Sequence, residues 1–228
     1  MRDKSGFKGS ATTCFVKKIA LLGFEGAGKS TLAYSLSKHF QKNGVDCGVA
    51  NFDAACKHIK YSPVFDVRKR YSLQAIMEKY GLGYNAALKR VYSSLARDSA
   101  VANALNSSSC EVLLLDVEAP VEVFLSDPSF LKAYADSVVF VADSNEEFEA
   151  RLLAALQEFK YGLPVLLALN KADVSTDENP QKGLHGFGED AALRELLEPA
   201  GKRVKAFSVS AMDRRGFNEL TKQLMGGN

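Results

Sequence analysis

The sequence predicts an α/β protein: a mainly parallel central sheet of P-loop type, flanked by helices and carrying a helical insertion. Three observations carry this expectation. Apolar, strand-like runs alternate with helical patterns along the chain. Most of those runs are continuously apolar, as strands covered on both faces are. The first run leads through a glycine-rich loop, Gly23-Phe24-Glu25-Gly26-Ala27-Gly28-Lys29-Ser30, straight into the first helical pattern.

Taken in order, residues 1–16 are polar, with Arg2, Lys4 and Lys8 set against Asp3, and are expected to form a flexible tail rather than a secretory signal. The rest, 17–228, is expected to be one domain. Strands are predicted over 18–22, 47–52, 111–117, 137–142, 164–170 and 203–209, each an apolar run. Helices are predicted over 29–41, 72–79, 85–105, 146–160, 189–198 and 217–225, where apolar residues recur at helical spacing. The second and third strands are separated by residues 53–110, far more chain than the dozen or so residues a crossover requires. A helical insertion, about 54–108, is therefore predicted. The stretch 174–188 is rich in Gly, Asp and Asn and reads as a surface loop.

The 228 residues suffice for a substantial core. Lys and Arg number 29 against 27 Asp and Glu, a net charge of +2, so nothing electrostatic argues for a nucleic-acid binder. No apolar run reaches the ~18 residues that span a bilayer. Cys14, Cys47, Cys56 and Cys110 are widely and irregularly spaced, which reads as free thiols in a reducing, cytoplasmic setting.

The loop fits G-x-x-x-x-G-K-[ST] throughout. Gly23, Gly26, Ala27 and Gly28 let backbone N–H groups curl round phosphate oxygens, and the following helix adds the positive end of its dipole. Lys29 is expected to reach the β- and γ-phosphates, Ser30 to ligate Mg²⁺, and Thr31 to touch the α-phosphate. Asp116 closes the apolar run Val112-Leu113-Leu114-Leu115 and is the expected carboxylate of the Mg²⁺ shell. Asp53 ends the second strand and joins it at the carboxyl edge as a candidate metal and catalytic group, the plainer alternative being a turn or cap. Asn170-Lys171-Ala172-Asp173 ends the fifth strand and Ser210-Ala211 follows the sixth. A carboxylate at Asp173 accepts two donors from one edge of guanine, a pair that adenine lacks, and the Ser210-Ala211 backbone is placed to meet the guanine carbonyl. GTP or GDP is thus the expected ligand. Arg68, Lys69 and Arg70 read as a solvated helix start, with contact to phosphate or an acidic partner as the alternative. No metal beyond Mg²⁺ is assigned to His39, His58 or His185.

These motifs, in this order, resemble the GPN-loop GTPases, over about 18–220. That family's Asn-Leu-Asp-Pro-Ala stands here as Asn51-Phe52-Asp53-Ala54-Ala55, and its segment ending Pro-Asp-Ile-Asp-Ile-Arg as Tyr61-Ser62-Pro63-Val64-Phe65-Asp66-Val67-Arg68. Its Leu-Gly-Pro-Asn-Gly-Ala-Leu is Leu82-Gly83-Tyr84-Asn85-Ala86-Ala87-Leu88, and its Asp-Thr-Pro-Gly-Gln-Ile-Glu-Val-Phe is Asp116-Val117-Glu118-Ala119-Pro120-Val121-Glu122-Val123-Phe124. The resemblance implies a Mg²⁺-dependent GTPase working as a homodimer, with the Gly83-Tyr84-Asn85 loop reaching a partner's nucleotide and a client protein complex as a further partner. It implies roles for Asn85 and Glu122 at the attacking water; the plainer reading of Asn85 is a helix cap. The departures point the other way. Tyr84 replaces the loop proline, Pro120 has neither side-chain amide nor N–H, and Glu118 puts negative charge where the γ-phosphate belongs, repelling it unless it swings out to solvent. A weak GTPase, a non-catalytic GTP-dependent binding or assembly factor, and a P-loop ATPase are the competing expectations.

Overall fold

The computed structural model describes residues 16–174 and 203–226. Residues 1–15 of the predicted tail with Cys14, residues 175–188 of the predicted loop with His185, and the helix at 189–198 lie outside the described residues, while Val16, placed in the tail from sequence, is buried in the core. Seven strands form one all-parallel sheet in the order β3-β2-β4-β1-β5-β6-β7. They are β1 (Lys17–Gly23), β2 (Cys47–Asn51), β3 (Phe65–Asp66), β4 (Val112–Asp116), β5 (Ser137–Asp143), β6 (Val165–Asn170) and β7 (Ala206–Ser208). The predicted parallel sheet is thus borne out. All five residues of β2 and of β4 are buried, as their unbroken apolar runs imply.

The helices are α1 (Lys29–Lys42), α2 (Leu73–Tyr80), α3 (Tyr84–Leu95), α4 (Ser99–Asn106), α5 (Val121–Ser126), α6 (Ser129–Tyr134), α7 (Glu147–Tyr161) and α8 (Phe217–Leu224). The helix expected over 85–105 is two. Asp98 accepts from the Ala100 and Val101 amides and so starts α4 afresh, while Arg70 and Tyr71 bind its other oxygen. Helices α5 and α6 were not expected. They are one and a half turns each, too short to show a period, and each opens behind a proline, Pro120 and Pro128. Strand β3 has two residues and was missed for the same reason.

One core lies on each face of the sheet. Phe52, Tyr92, Phe124 and Phe130 pack as an aromatic cluster on the insertion side, with Phe52 and Phe130 centroids 4.9 Å apart. Leu32, Leu36 and Phe40 of α1 and Phe217, Leu220 and Leu224 of α8 cover the other. Strand order reverses at β1, with β4 on one side and β5 on the other, and the loop after β1 opens at that crevice. Among the described helices none is long and apolar enough to cross a membrane. Cys47, Cys56 and Cys110 carry free thiols, and burial pushes that of Cys47 up to about 12.

Candidate functional site

The glycine-rich loop turns between β1 and α1 at close quarters. Gly23 has φ 144°, and a Cβ there would sit 1.9 Å from the Val141 carbonyl oxygen on β5. Gly28 has φ 89° and would place a Cβ 2.7 Å from Asn170 Nδ2. Gly28 also stands at the N-cap of α1 without a side-chain cap, so the first amides of the helix face the loop uncapped. A cleft of about 350 Å³ lies there, lined by Gly26, Gly28, Lys29, Ser30, Thr31, Asp53, Asp116 and Glu118 among others. The predicted phosphate residues Gly26, Gly28, Lys29, Ser30 and Thr31 and the two predicted acids therefore meet in one place, while Ala27 between them is buried in the core. Gly23 lies outside it, along a neighbouring groove.

Lys29 is buried, and every contact of its ammonium is internal. Nζ donates to the carbonyls of Phe24 (2.7 Å) and Gly23 (3.3 Å) and pairs with Glu118 Oε2 at 2.8 Å. Glu118 thus turns inward onto the lysine instead of swinging out to solvent. Burial raises its carboxyl above the usual range, with the Lys29 contact pulling the other way. The Glu118 backbone is held too: the buried Tyr92 hydroxyl lies 3.0 Å from its carbonyl and 2.8 Å from that of Phe52.

Asp116 is likewise satisfied from within. The Tyr61 hydroxyl donates to its Oδ2 at 2.6 Å, and the Ser30 hydroxyl bonds the same carboxylate. Burial raises the Asp116 carboxyl, opposed by those two hydrogen bonds. Asp53 Oδ1 accepts from the Ala55 and Cys56 amides, the turn role weighed for it from sequence, while the residue still lines the cleft. Arg68 does not reach toward the cleft as a phosphate ligand. It forks onto Asp66 (2.7 Å) and donates to the Cys56 carbonyl, pinning the segment that carries Tyr61. Arg70 pairs with Asp98 at 2.9 Å. No described group of three or more His, Cys, Asp or Glu residues is spaced to hold a metal by itself. The hard oxygen donors Ser30, Asp116 and Asp53 fit Mg²⁺, which takes one or two carboxylates and leaves the rest of its shell to water and phosphate.

At the predicted base end, Asn170 is buried and spends its amide on the scaffold. Nδ2 donates to the Ala27 carbonyl at 2.9 Å, and Oδ1 accepts from the Ala211 amide at 3.0 Å. The Ala211 N–H is therefore taken by Asn170, and the Ala211 carbonyl accepts from Ser35 at 2.6 Å. Ser210 is buried and its hydroxyl accepts from the Met212 and Asp213 amides, closing the turn after β7. Lys171, at φ 64°, pairs with Asp143 at 2.9 Å, and Asp173 is exposed on the next turn.

The remaining predicted residues lie apart from the phosphate cleft. Gly83 is the N-cap of α3, so Asn85, exposed in the first turn, is not the cap. Tyr84 and Glu122 line an apolar groove of about 930 Å³ that runs from Gly23, Phe24 and Glu25 to α7. Three residues of the site escaped sequence reasoning: Tyr61, Tyr92 and Asn170 in its bracing role. Tyr61 opens the segment that resembles the family but carries no role from it; the others act through tertiary contacts no local pattern encodes.

A family model described as a conserved hypothetical ATP binding protein matches residues 21–224. The chain belongs to this family. Among its curated relatives, GPN-loop GTPase 1 of Dictyostelium discoideum is 24% identical across 90% of this chain, which spans 60% of that protein's length. GPN-loop GTPase 3 of Saccharomyces cerevisiae is 28% identical, covering 80% of this chain and 73% of its own. The resemblance read from the motifs thus holds for the family as a whole. The apo form of a GTPase from Pyrococcus abyssi superposes with a TM-score of 0.68 at 22% identity, over 92% of this chain and 96% of that one, and shares the fold.

Proposed function

We propose that this chain is a guanine-nucleotide-binding P-loop protein of the GPN-loop type, acting in the cytoplasm as a dimeric switch that turns GTP over slowly. One observation supports the site as a unit: Asn170 bonds both Ala27 and Ala211, so the phosphate loop and the Asn-Lys-x-Asp and Ser-Ala strand ends are braced together, and the choice of base rests on Asp173. A polar site of this kind rejects a base that leaves its acceptors unpaired. The family description speaks of ATP, but Asp173 favours guanine, whose N1–H and amino group it accepts.

In this reading Gly26, Ala27, Gly28 and Thr31 cradle the phosphates and Lys29 holds their charge. Ser30 and Asp116, with Asp53 beside them, hold Mg²⁺, which neutralises developing negative charge on the phosphates when bound. Tyr61 leaves Asp116 for that to happen. Weak catalysis is supported by Pro120, which opens α5 and brings no amide to a water, and by the placement of Glu122 in the neighbouring groove. A purely binding role is the second reading, favoured by the Lys29–Glu118 ion pair. The half-exposed Tyr84, at the predicted dimer loop, supports a two-fold partner there, and a client complex is consistent with the family.

Calorimetric titration with GDP, GTP, ADP and ATP, alongside light scattering, tests the proposal. Guanine nucleotides are expected to bind and adenine nucleotides to bind poorly. Equal affinity for the two bases would sink it, and a monomer at every nucleotide state would remove the dimer.

A further inference from the structure

Among the described side chains lining the phosphate cleft are the acids Asp53, Asp116 and Glu118 and the lysines Lys29 and Lys60, and of the two lysines Lys29 is the buried one. Two of the three acids have a local use: Asp53 closes a turn, and Asp116 takes the Tyr61 and Ser30 hydroxyls. Glu118 has another position. Its carboxylate sits on the Lys29 ammonium at 2.8 Å, and that ammonium is the group which reaches the β- and γ-phosphates in a loop of this kind.

We propose that Glu118 stands in for a terminal phosphate and makes the site prefer a nucleoside diphosphate to the corresponding triphosphate. The inference deepens the guanine-nucleotide reading and rests on it for the site, though not for the identity of the base. A diphosphate brings its terminal phosphate to Lys29 while Glu118 keeps the remaining side of the ammonium. A triphosphate brings a further dianionic group to the same ammonium and must displace the carboxylate. Glu118 has little room to retreat. Its carbonyl is tethered by the buried Tyr92 hydroxyl, and the side chain is only 32% exposed. A rotation off Lys29 leaves it near Asp53 and Asp116, both of which already act on it unfavourably. Like charges at such range in a partly buried cleft disfavour one ligand over another far more than they would in water.

The test is calorimetry on four ligands, GDP and ADP with the imido analogues of GTP and ATP, at fixed Mg²⁺, for the unmodified chain, Glu118→Gln and Glu118→Asp. The quantity read is the diphosphate-to-triphosphate affinity ratio on whichever base binds. The unmodified chain is expected to favour the diphosphate by at least about tenfold. Glu118→Gln, which keeps the shape and loses the charge, is expected to reduce that preference about tenfold or more, mainly by tightening the triphosphate. Glu118→Asp, whose carboxylate is drawn back by one methylene, should lie between the two and serves if the glutamine variant does not fold. Equal affinities in the unmodified chain, or a ratio that stays put in a folded variant, would overturn the proposal. Binding of adenine ligands in place of guanine would refute the base assignment alone, since the ratio is still read; no binding by any of the four would overturn both.

Discussion

At the proposed base site, Asn170 joins three segments and leaves Asp173 exposed on the turn beyond. At the phosphate end, Lys29 and Asp116 are buried and each is already paired, with Glu118 and with Tyr61. One end is assembled with its specificity group in the open. The other is assembled around contacts that a ligand has to replace. The difference teaches where binding of the proposed nucleotide would meet resistance: the base would meet a ready frame, and the phosphates an ammonium and a carboxylate in use.

The largest effect that would sharpen this contrast is at Asp173. Because it is exposed and braces nothing else described, Asp173→Asn should cost guanine nucleotide about 2–4 kcal/mol in calorimetry. Its unfolding free energy should stay within about 0.5 kcal/mol of the unmodified chain. Asn170→Ala, two strand-end contacts in one side chain, should cost stability instead. Leaving the Ala27 carbonyl and Ala211 amide unpaired is expected to lower stability by about 2–3 kcal/mol in urea unfolding. If Asn170→Ala unfolds like the unmodified chain, the frame is not held by that amide.

At the phosphate end, replacing Glu118-Ala119-Pro120 by Pro-Gly-Gln removes the competing carboxylate and restores an amide. Single-turnover GTP hydrolysis should rise at least about tenfold, with GDP affinity less affected. Fast hydrolysis by the unmodified chain would break the comparison, because it would mean the paired lysine is no obstacle.

The smallest effect concerns the segment that carries Tyr61, which the Asp66–Arg68 pair pins. The Arg68 guanidinium beside Asp66 holds its carboxyl down at about 2, against an ordinary 3.8. A depressed carboxyl contributes stability above its unfolded value and loses it as pH falls through its folded value. The unmodified chain should therefore exceed Asp66→Asn by on the order of 1 kcal/mol at neutral pH, a discounted figure because Arg68 is open to solvent. The gap should close as the pH drops from about 4 toward about 2, followed by denaturant melts at each pH.

The parallel sheet, the phosphate loop and the Asn-Lys-x-Asp strand end were legible because each is local: an apolar run, a loop and a turn residue at fixed spacing. Strand β3, helices α5 and α6, and the break at Asp98 were not, being shorter than the periods that reveal such elements. At the site, residue types were legible and partners were not. Glu118 reads as a misplaced negative charge beside the γ-phosphate position, but only the fold brings it onto Lys29. Tyr61 reaches Asp116 across 55 residues of chain, and Asn170 reaches Ala27 across 143, and no spacing rule anticipates either.

The Asn170 amide has one more consequence. With Nδ2 on Ala27, Oδ1 on Ala211 and the Gly28 backbone too close for even a methyl group, one side chain sets the spacing between the phosphate loop and the turn after β7. One amide thus serves as the common fastening of the phosphate loop, the end of β6 and the turn after β7, so its loss would release all three at once.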